Sequence, residues 1–125
     1  MPNWCENKIK ITGDPDKLKV LVDKFRELET NNEPVMGFLL GKEDRPDNYD
    51  DGGWYEYNCN KFGSKWDFKY GEALIDVSDS QIEINILTAW APPCEFLRSL
   101  CAMYRVHARI HYDEPGADLC GTEKF

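Results

Sequence analysis

The sequence lacks the short motifs that identify many enzymes. Its 125 residues contain no GxSxG, no phosphate-binding P-loop, no HExxH and no GxGxxG. Five cysteines and two histidines are present, but nothing in their spacing places a thiol beside an imidazole. We therefore expect a protein that is not an enzyme, and we assign no residue a catalytic role.

The cysteines also lack the spacing of a disulfide framework or a metal site. They are odd in number and none forms a CxxC pair. Without a secretion signal, this pattern predicts free thiols in a reducing compartment. We expect no metal and no cofactor. A zinc site assembled from dispersed cysteines and a histidine is the minor alternative. The cysteines are Cys5, Cys59, Cys94, Cys101 and Cys120.

Long apolar runs are missing as well. No stretch approaches the roughly 18 apolar residues of a transmembrane helix. The first residues of the sequence have neither the basic region nor the apolar region of a signal peptide. We therefore expect a cytoplasmic protein with no membrane partner.

Positive charge is scarce. Lys and Arg number 15 against 23 Asp and Glu, which gives a net charge of −8. Non-specific binding to nucleic acid depends on clustered Lys and Arg, so direct binding to nucleic acid is not expected. Half of the negative excess lies in residues 42–56, where six acidic residues accompany two basic ones. We interpret this run as a solvated loop. Its candidate acidic surface is Glu43, Asp44, Asp47, Asp50 and Asp51.

Aromatic residues are concentrated between residues 53 and 67. Trp54, Tyr57 and Phe62 recur at helical spacing, and Gly63 follows where a helix cap is expected. This predicts a helix of about two turns followed by an extended segment. The stretch is either a small aromatic core or a recognition surface that mixes rings with polar contacts. The candidate binding residues are Trp54, Asn58, Lys65, Trp66, Asp67 and Trp90.

Hydrophobic periodicity predicts the elements around this stretch. Helical spacing begins at Asp14-Pro15, a strong start signal, and again at Pro93. Between these helices, residues 30–53 are irregular, and the apolar patch Val35–Leu40 is a short strand or a loop tucked into the core. Apolar residues alternate, as in half-buried strands, over residues 4–12, 68–77, 81–90 and 106–112. The tail from residue 114 to 121 is rich in turn residues and is expected to pack over an edge.

The order of these elements is strand, helix, insert, strand, strand, helix, strand. That order is the split βαβ, or ferredoxin-like, arrangement. We predict an α+β fold in a single domain, 1–125. It has a four-stranded antiparallel sheet, two helices on one face, and a short aromatic helical insert at about 30–67. The first and third strands should lie in the middle.

The open face of this sheet is a test for RNA binding. RNA-recognition domains stack bases on aromatic residues of the central strands, but no aromatic occupies the corresponding positions here. His107 and His111 project from the same face. They lie four residues apart on a strand, about 13 Å, which is too far to share one metal. They should be solvated or covered by the insert. The open-face positions of the central strands are Lys8, Lys10, Glu83, Asn85 and Leu87.

Four stretches together resemble a known family. They are Met1–Asn7, Trp54–Asp67, the sequence TAWAPP at Thr88–Pro93, and Tyr112–Gly121. The combination resembles the YubB, or Api-type, ferredoxin-like family of small plasmid, phage and genomic-island proteins. The resemblance implies a ferredoxin-like fold and a bacterial mobile-element setting, and it implies no activity. Two positions depart from the family motif, with Phe62 in place of Trp and Ser64 in place of Thr; both changes keep the character of the site.

The family motifs predict one aromatic cluster. We expect the cluster at one end of the sheet, formed by Trp4, Trp54, Trp66 and Trp90 beside the Pro92-Pro93 turn.

Three candidate functions remain for the protein. The first function is a non-catalytic module that binds a protein partner or a second copy of itself. The second is an acidic inhibitor that imitates DNA phosphates. The third is a small-molecule-binding protein or small enzyme that uses the aromatic cluster with Lys65 and Asp67.

Overall fold

The computed structural model describes residues 4–115 and 119–125. Part of the predicted turn-rich tail, residues 116–118, lies outside the described residues. Two single turns of 3-10 helix cover Tyr49–Asp51 and Tyr70–Glu72. In chain order, the strands and α-helices are β1 (Trp4–Thr12), α1 (Pro15–Asn31), α2 (Val35–Leu40), α3 (Trp54–Phe62), β2 (Leu74–Val77), β3 (Ile82–Ala89), α4 (Cys94–Tyr104), β4 (His107–Glu114) and β5 (Leu119–Lys124).

The sheet is antiparallel throughout, with the strand order β2-β3-β1-β4-β5. The first strand, β1, is central and pairs with both β3 and β4. Alternate residues of β1 are buried: Cys5, Asn7, Ile9 and Ile11. The buried isoleucines of β1 and β3 meet helix residues such as Leu21 and Phe96 in one core. The predicted ferredoxin-like arrangement with central first and third strands is therefore confirmed.

The prediction of four strands and two helices is wrong. The described chain has a five-stranded sheet and four α-helices. The added strand is β5, which pairs with β4 from Glu114 opposite Leu119 to Arg109 opposite Lys124. Its residues have little strand propensity of their own, so the backbone hydrogen bonds to β4 determine its conformation.

The apolar patch at residues 35–40 is a helix, α2, and neither a strand nor a loop. Five of its six residues are buried, so it has no polar face and shows no amphipathic period. The first turn of α2 is stabilised by a residue outside the helix. The backbone N–H groups of Met36 and Gly37 donate to the Asp67 carboxylate, each at 2.8 Å. A side chain distant in sequence thus satisfies the free donors of the helix start.

The other helices begin and end near their predicted signals. Asp14 caps α1 and accepts a hydrogen bond from the Asp16 N–H at 3.2 Å. α3 ends at Gly63, whose φ of 77° is a left-handed conformation that favours glycine. α4 lies in the middle of the helical layer and contacts α1, α2 and α3. No helix in the described part of the chain is long and apolar enough to cross a membrane.

Strand β2 is much shorter than the predicted span of 68–77. The 3-10 turn at Tyr70–Glu72 delays its start until Leu74. As a result β2 pairs only with residues Ile82–Asn85 of β3. The following residues of β3, Ile86–Ala89, have no strand partner on that side within the described ranges. We call this segment the free edge of β3.

Candidate functional site: an aromatic cavity at the free edge of β3

A cavity of about 710 Å³ lies beside the free edge of β3. One wall is the free edge, and the opposite wall comes from the insert between α1 and β2. Tryptophans from three separate segments contribute rings. The lining residues are Trp4, Pro34, Arg45, Tyr49, Asp50, Trp54, Asn58, Trp66, Asp67, Phe68, Glu72 and Ile86–Ala89. We call it the aromatic cavity.

The tryptophan rings are partly accessible, unlike the rings of the core. Trp4 and Trp66 are 45% and 39% exposed, and their ring centroids lie 6.1 Å apart at an angle of 39°. Trp54 opens α3 and is partly buried. The Lys65 ammonium lies 4.5 Å from the centre of the Trp66 ring, within cation–π distance. The cavity therefore presents flat apolar surface with a positive charge at its margin.

The structure brings together most of the predicted site residues, with one exception. Trp54, Asn58, Trp66 and Asp67 line the cavity, and Lys65 packs on Trp66. Trp90 is 55% exposed and is not among the lining residues. Its φ of 75° is unusual for a bulky residue.

The turn that holds Trp90 is fixed by hydrogen bonds across it. The Ala91 N–H donates to the Ala89 carbonyl at 2.9 Å. The Thr88 hydroxyl donates to the Ala91 carbonyl at 2.6 Å. Thr88 is in turn fixed by the buried Asn7 amide at 2.8 Å. These bonds fix the backbone of the turn that carries Trp90.

Two predicted polar contacts are already engaged within the protein. The buried Asn58 donates to the Lys65 carbonyl at 3.1 Å and accepts from the Tyr49 hydroxyl at 3.4 Å, so it ties the cavity wall together. Asp67 accepts from the N–H groups of Met36 and Gly37 and from that of Phe68 at 2.7 Å. Burial raises the pKa of the Asp67 carboxyl, although those three donors lower it.

Sequence reasoning missed Arg45 and Tyr49. The Arg45 guanidinium stacks 4.1 Å from the centre of the Tyr49 ring. Its Nε is buried and has no hydrogen-bond partner among the described residues. Both residues come from the segment predicted to be irregular, where no periodicity indicates which side chains turn inward. Their only sequence signal is a cation four positions before an aromatic ring.

The candidate acidic residues are all exposed, and their segment is built of turns and a 3-10 helix. Asp44 is already neutralised, because it accepts from the Lys61 ammonium and the Tyr57 hydroxyl at 2.6 Å each. The Lys61 hydrogen bond, together with that from Tyr57, lowers the pKa of Asp44. Asp50 lines the aromatic cavity. Within residues 4–115 and 119–125, no hydrogen bond or ion pair engages the side chains of Glu43, Asp47, Asp50 and Asp51.

His107 and His111 are both exposed, so the insert does not cover them. The His111 Nδ1 lies 2.9 Å from the Thr122 hydroxyl. Among residues 4–115 and 119–125, no group of three or more His, Cys, Asp or Glu side chains is arranged to hold a metal ion. All five cysteines are unpaired, from the buried Cys5 to the exposed Cys120.

The strand order β2-β3-β1-β4-β5 and the helices that share one core with this sheet define a ferredoxin-like α+β domain. The family described as the ferredoxin-like domain in Api92-like protein matches residues 53–125. Since that match covers more than half of the sequence, the chain belongs to the Api92-like family. The predicted Api-type resemblance is thereby confirmed at the level of the family.

A solved structure gives the same result for the fold. The crystal structure of the protein api92 from Yersinia pseudotuberculosis is similar with a TM-score of 0.64 and 10% sequence identity. The similarity covers 100% of this chain and 94% of that chain. At this identity it shows the fold alone. Comparison with curated proteins found no match.

Proposed function

We propose that this protein is a non-catalytic module that binds a protein partner at the aromatic cavity. The observation that carries the proposal is the free edge of β3, which lies directly against a cavity lined by three tryptophans. An extended peptide that adds a strand to a sheet edge gains affinity from backbone hydrogen bonds. Its alternate side chains gain specificity from adjacent pockets. The unpaired edge and the adjacent cavity support this binding mode: Leu87 is the exposed residue of the edge, and the buried Ile86, Thr88 and Ala89 border the cavity.

The dimensions and composition of the cavity suit one anchoring side chain and its neighbours. A volume of about 710 Å³ falls in the ordinary range for ligand sites. Tryptophan is among the residues that contribute most to binding energy at protein interfaces. The wall is also preformed, since Asn58 fixes the Lys65 carbonyl and Tyr49 in place. A preformed site loses less conformational entropy when it binds.

Charge around the cavity indicates the chemistry of the partner. The exposed carboxylate of Asp50 lines the cavity, and Asp47 and Asp51 lie on the same segment. Lys65 and Arg45 are already stacked on rings. We therefore propose an extended segment that carries an apolar or aromatic anchor flanked by Lys or Arg.

A displayed library of extended peptides, selected on the purified protein, tests this proposal. Affinities of selected peptides are then measured for Trp66→Ala and for Trp90→Ala. Both variants remove an exposed indole, but only Trp66 lines the cavity. We expect Trp66→Ala to weaken binding by about thirtyfold, a hot-spot loss of about 2 kcal/mol. Trp90→Ala should bind like the native protein. Circular dichroism and urea unfolding establish that both are folded.

Equal binding by native protein and Trp66→Ala would contradict the proposal. The matched variant Asp47→Asn/Asp50→Asn/Asp51→Asn tests the second function. A bacterial DNA-binding protein that is captured by native protein and Trp66→Ala, but not by the Asn variant, would instead support an acidic inhibitor that imitates phosphates. The observation that favours this second function is the run of exposed carboxylates between residues 43 and 51, two of which lie on a 3-10 turn.

Three further proposals concern the domain organisation, the cellular compartment and the location of the gene. We propose that residues 1–125 form one domain, that the protein acts in the cytoplasm, and that its gene lies on a plasmid, phage or genomic island. The last rests on the family resemblance and is tested by sequencing the neighbouring genes. A second copy of the chain is the alternative partner. Light scattering would reveal it as a mass near twice 14.5 kDa.

A further inference from the structure

The open face of the sheet carries a concentrated positive patch on a protein of net charge −8. Strand register places Lys10 opposite Arg109 and Arg109 opposite Lys124. Lys8 lies two residues along β1 on the same face. All four side chains are exposed. We call Lys8, Lys10, Arg109 and Lys124 the basic patch.

Within the described sheet, Arg109 and Lys124 have no acidic partner opposite them on a neighbouring strand, whereas Lys10 lies opposite Glu83 on β3. Ion pairs in the described part of the chain involve Lys19, Lys61 and Arg98 instead. Side chains directly opposite on adjacent antiparallel strands are about 5 Å apart at Cβ, and like charges there destabilise the sheet. Arg109 therefore lies between two like charges, Lys10 and Lys124, which is unfavourable in the free protein. A bound anion would relieve that repulsion.

The charges of this row are also separated from one edge of the sheet to the other. Glu83 is the β3 partner of Lys10, and Asp76 is the β2 partner of Glu83. The row therefore runs from two acidic side chains on β2 and β3 to three basic ones on β1, β4 and β5. Such an arrangement is directional, because an anion is attracted to one half of the face and repelled from the other.

The basic end of the row borders a depression of about 400 Å³. Among the described residues, its lining contains three cations, the His107 imidazole and the Thr12 hydroxyl, and no Asp or Glu side chain. Arginine presents a planar fork of donors that fits phosphate oxygens in pairs, and lysine adds point charge. A phosphate monoester carries about −1.5 to −2 charge on clustered oxygens, more than a carboxylate offers in the same volume.

We propose that the basic patch binds a phosphate-bearing ligand, with its phosphates between Lys10, Arg109 and Lys124. The site lies on the open face and is distinct from the aromatic cavity, so it stands whether or not the cavity binds a peptide. The net charge of −8 argues against bulk attraction to polyanions. It does not oppose a local site, because charges separated by more than about 8–10 Å are largely screened at physiological salt.

Thermal unfolding near physiological ionic strength, in a buffer without phosphate, tests the proposal. The probes are tripolyphosphate, a short single-stranded DNA, and polyglutamate as a carboxylate control. The test variant is Arg109→Gln/Lys124→Gln. The control is Lys17→Gln/Lys19→Gln on the exposed face of α1, which changes the net charge by the same amount. Native protein and control should gain thermal stability with tripolyphosphate. The test variant should bind about tenfold or more weakly.

The DNA probe distinguishes two sources of phosphate. Protection by both tripolyphosphate and DNA identifies a nucleic-acid backbone, and the salt slope for DNA should then fall by about 1 for each cation removed. Protection by tripolyphosphate alone identifies a small phosphate ligand. No shift with either probe, an equal shift in the test variant, or equal protection by polyglutamate would overturn the proposal.

A measurement without ligand separates binding from folding. Because Arg109 lies between two other cations, the empty test variant should unfold at the same or a higher urea concentration than native protein at low salt. Loss of phosphate binding in such a variant then reflects the site itself. Trp66→Ala should retain the phosphate effect, since Trp66 lines a different cavity.

Discussion

Asp67 shows how one side chain supports the insert from a distance. Its carboxylate satisfies the N–H groups of Met36 and Gly37 at the start of α2, and also that of Phe68. The same residue lies on the wall of the aromatic cavity. Its hydrogen bonds fix the relative positions of α2 and the segment that leads into β2. We therefore regard Asp67 as a residue that positions the cavity wall.

Asp67→Ala should lower the free energy of unfolding by about 1–3 kcal/mol, because buried backbone donors lose their acceptor. Asp67→Asn keeps one oxygen acceptor and should lose less. Urea unfolding of the two variants and the native protein measures the difference. An Ala variant as stable as the native protein would show that water replaces the carboxylate fully.

The same variants test a pH dependence. Burial raises the folded-state pKa of Asp67 above the ordinary value of 3.8. Between these two pKa values the folded protein binds more protons than the unfolded chain, so native stability falls as pH rises through that window. Asp67→Asn cannot ionise and should lack this part of the slope. Unfolding between about pH 3.5 and 7 measures it; identical slopes would contradict the assignment.

Asp67 also illustrates which contacts could not be predicted from the sequence. Its place in a mixed aromatic and polar stretch made it a candidate contact for a ligand. The groups it binds lie about 30 positions earlier in the chain, and no local pattern indicates that pairing. Trp4, Trp54 and Trp66 could be expected near one another from the family motifs. Arg45 and Tyr49 could not.

Among the elements, α3 depends on the glycine that ends it. Gly63 has a φ of 77°, and a Cβ there would lie 3.1 Å from the Glu95 backbone nitrogen of α4. Gly63→Ala should therefore lower the free energy of unfolding by roughly 1–2 kcal/mol through backbone strain. Gly71→Ala is the matched control, because no atom lies within 4 Å of its added Cβ. Equal effects of both substitutions in urea unfolding would contradict this.

The elements that the sequence predicts best have one solvent-exposed face and one buried face. β1 and β3 alternate because only one side of each is buried, and α1 shows an apolar stripe for the same reason. α2 is buried on nearly all sides, so its sequence does not show the alternation of apolar and polar residues that identifies an amphipathic helix. β5 is fixed by its partner β4, and β2 is shortened by the turn at Tyr70–Glu72. Tertiary contacts, and not the local sequence, determine the conformation of α2 and β5 and the length of β2.

At the scale of the whole molecule, strand order should determine local stability. β1 has a hydrogen-bonded partner on each side, whereas β2 lies at an edge with Leu74 76% exposed. Amide exchange is slowest where opening requires global unfolding. We therefore expect the amides of Ile9 and Ile11 to exchange most slowly and those of β2 much faster. Hydrogen exchange followed by NMR measures both, and equal protection would contradict the inferred hierarchy.

The whole molecule thus presents two separate surfaces. The aromatic cavity lies where the sheet edge is left open, and the basic patch lies on the open face toward β5. Composition alone indicated an acidic protein and suggested no cationic site. The patch arises only when register aligns Lys10, Arg109 and Lys124 from three strands.

The central position of β1 has a consequence for how the protein is made. β1 leaves the ribosome before β3 and β4, and Ile86 of β3, whose carbonyl accepts from Asn7, comes 79 positions after Asn7. At about 5–20 residues per second, the delay is roughly 4–16 s. During that time β1 has neither of its neighbouring strands, and its isoleucines remain exposed to non-native contacts. β1 is therefore enclosed only after both of its neighbours in the sheet have been synthesised.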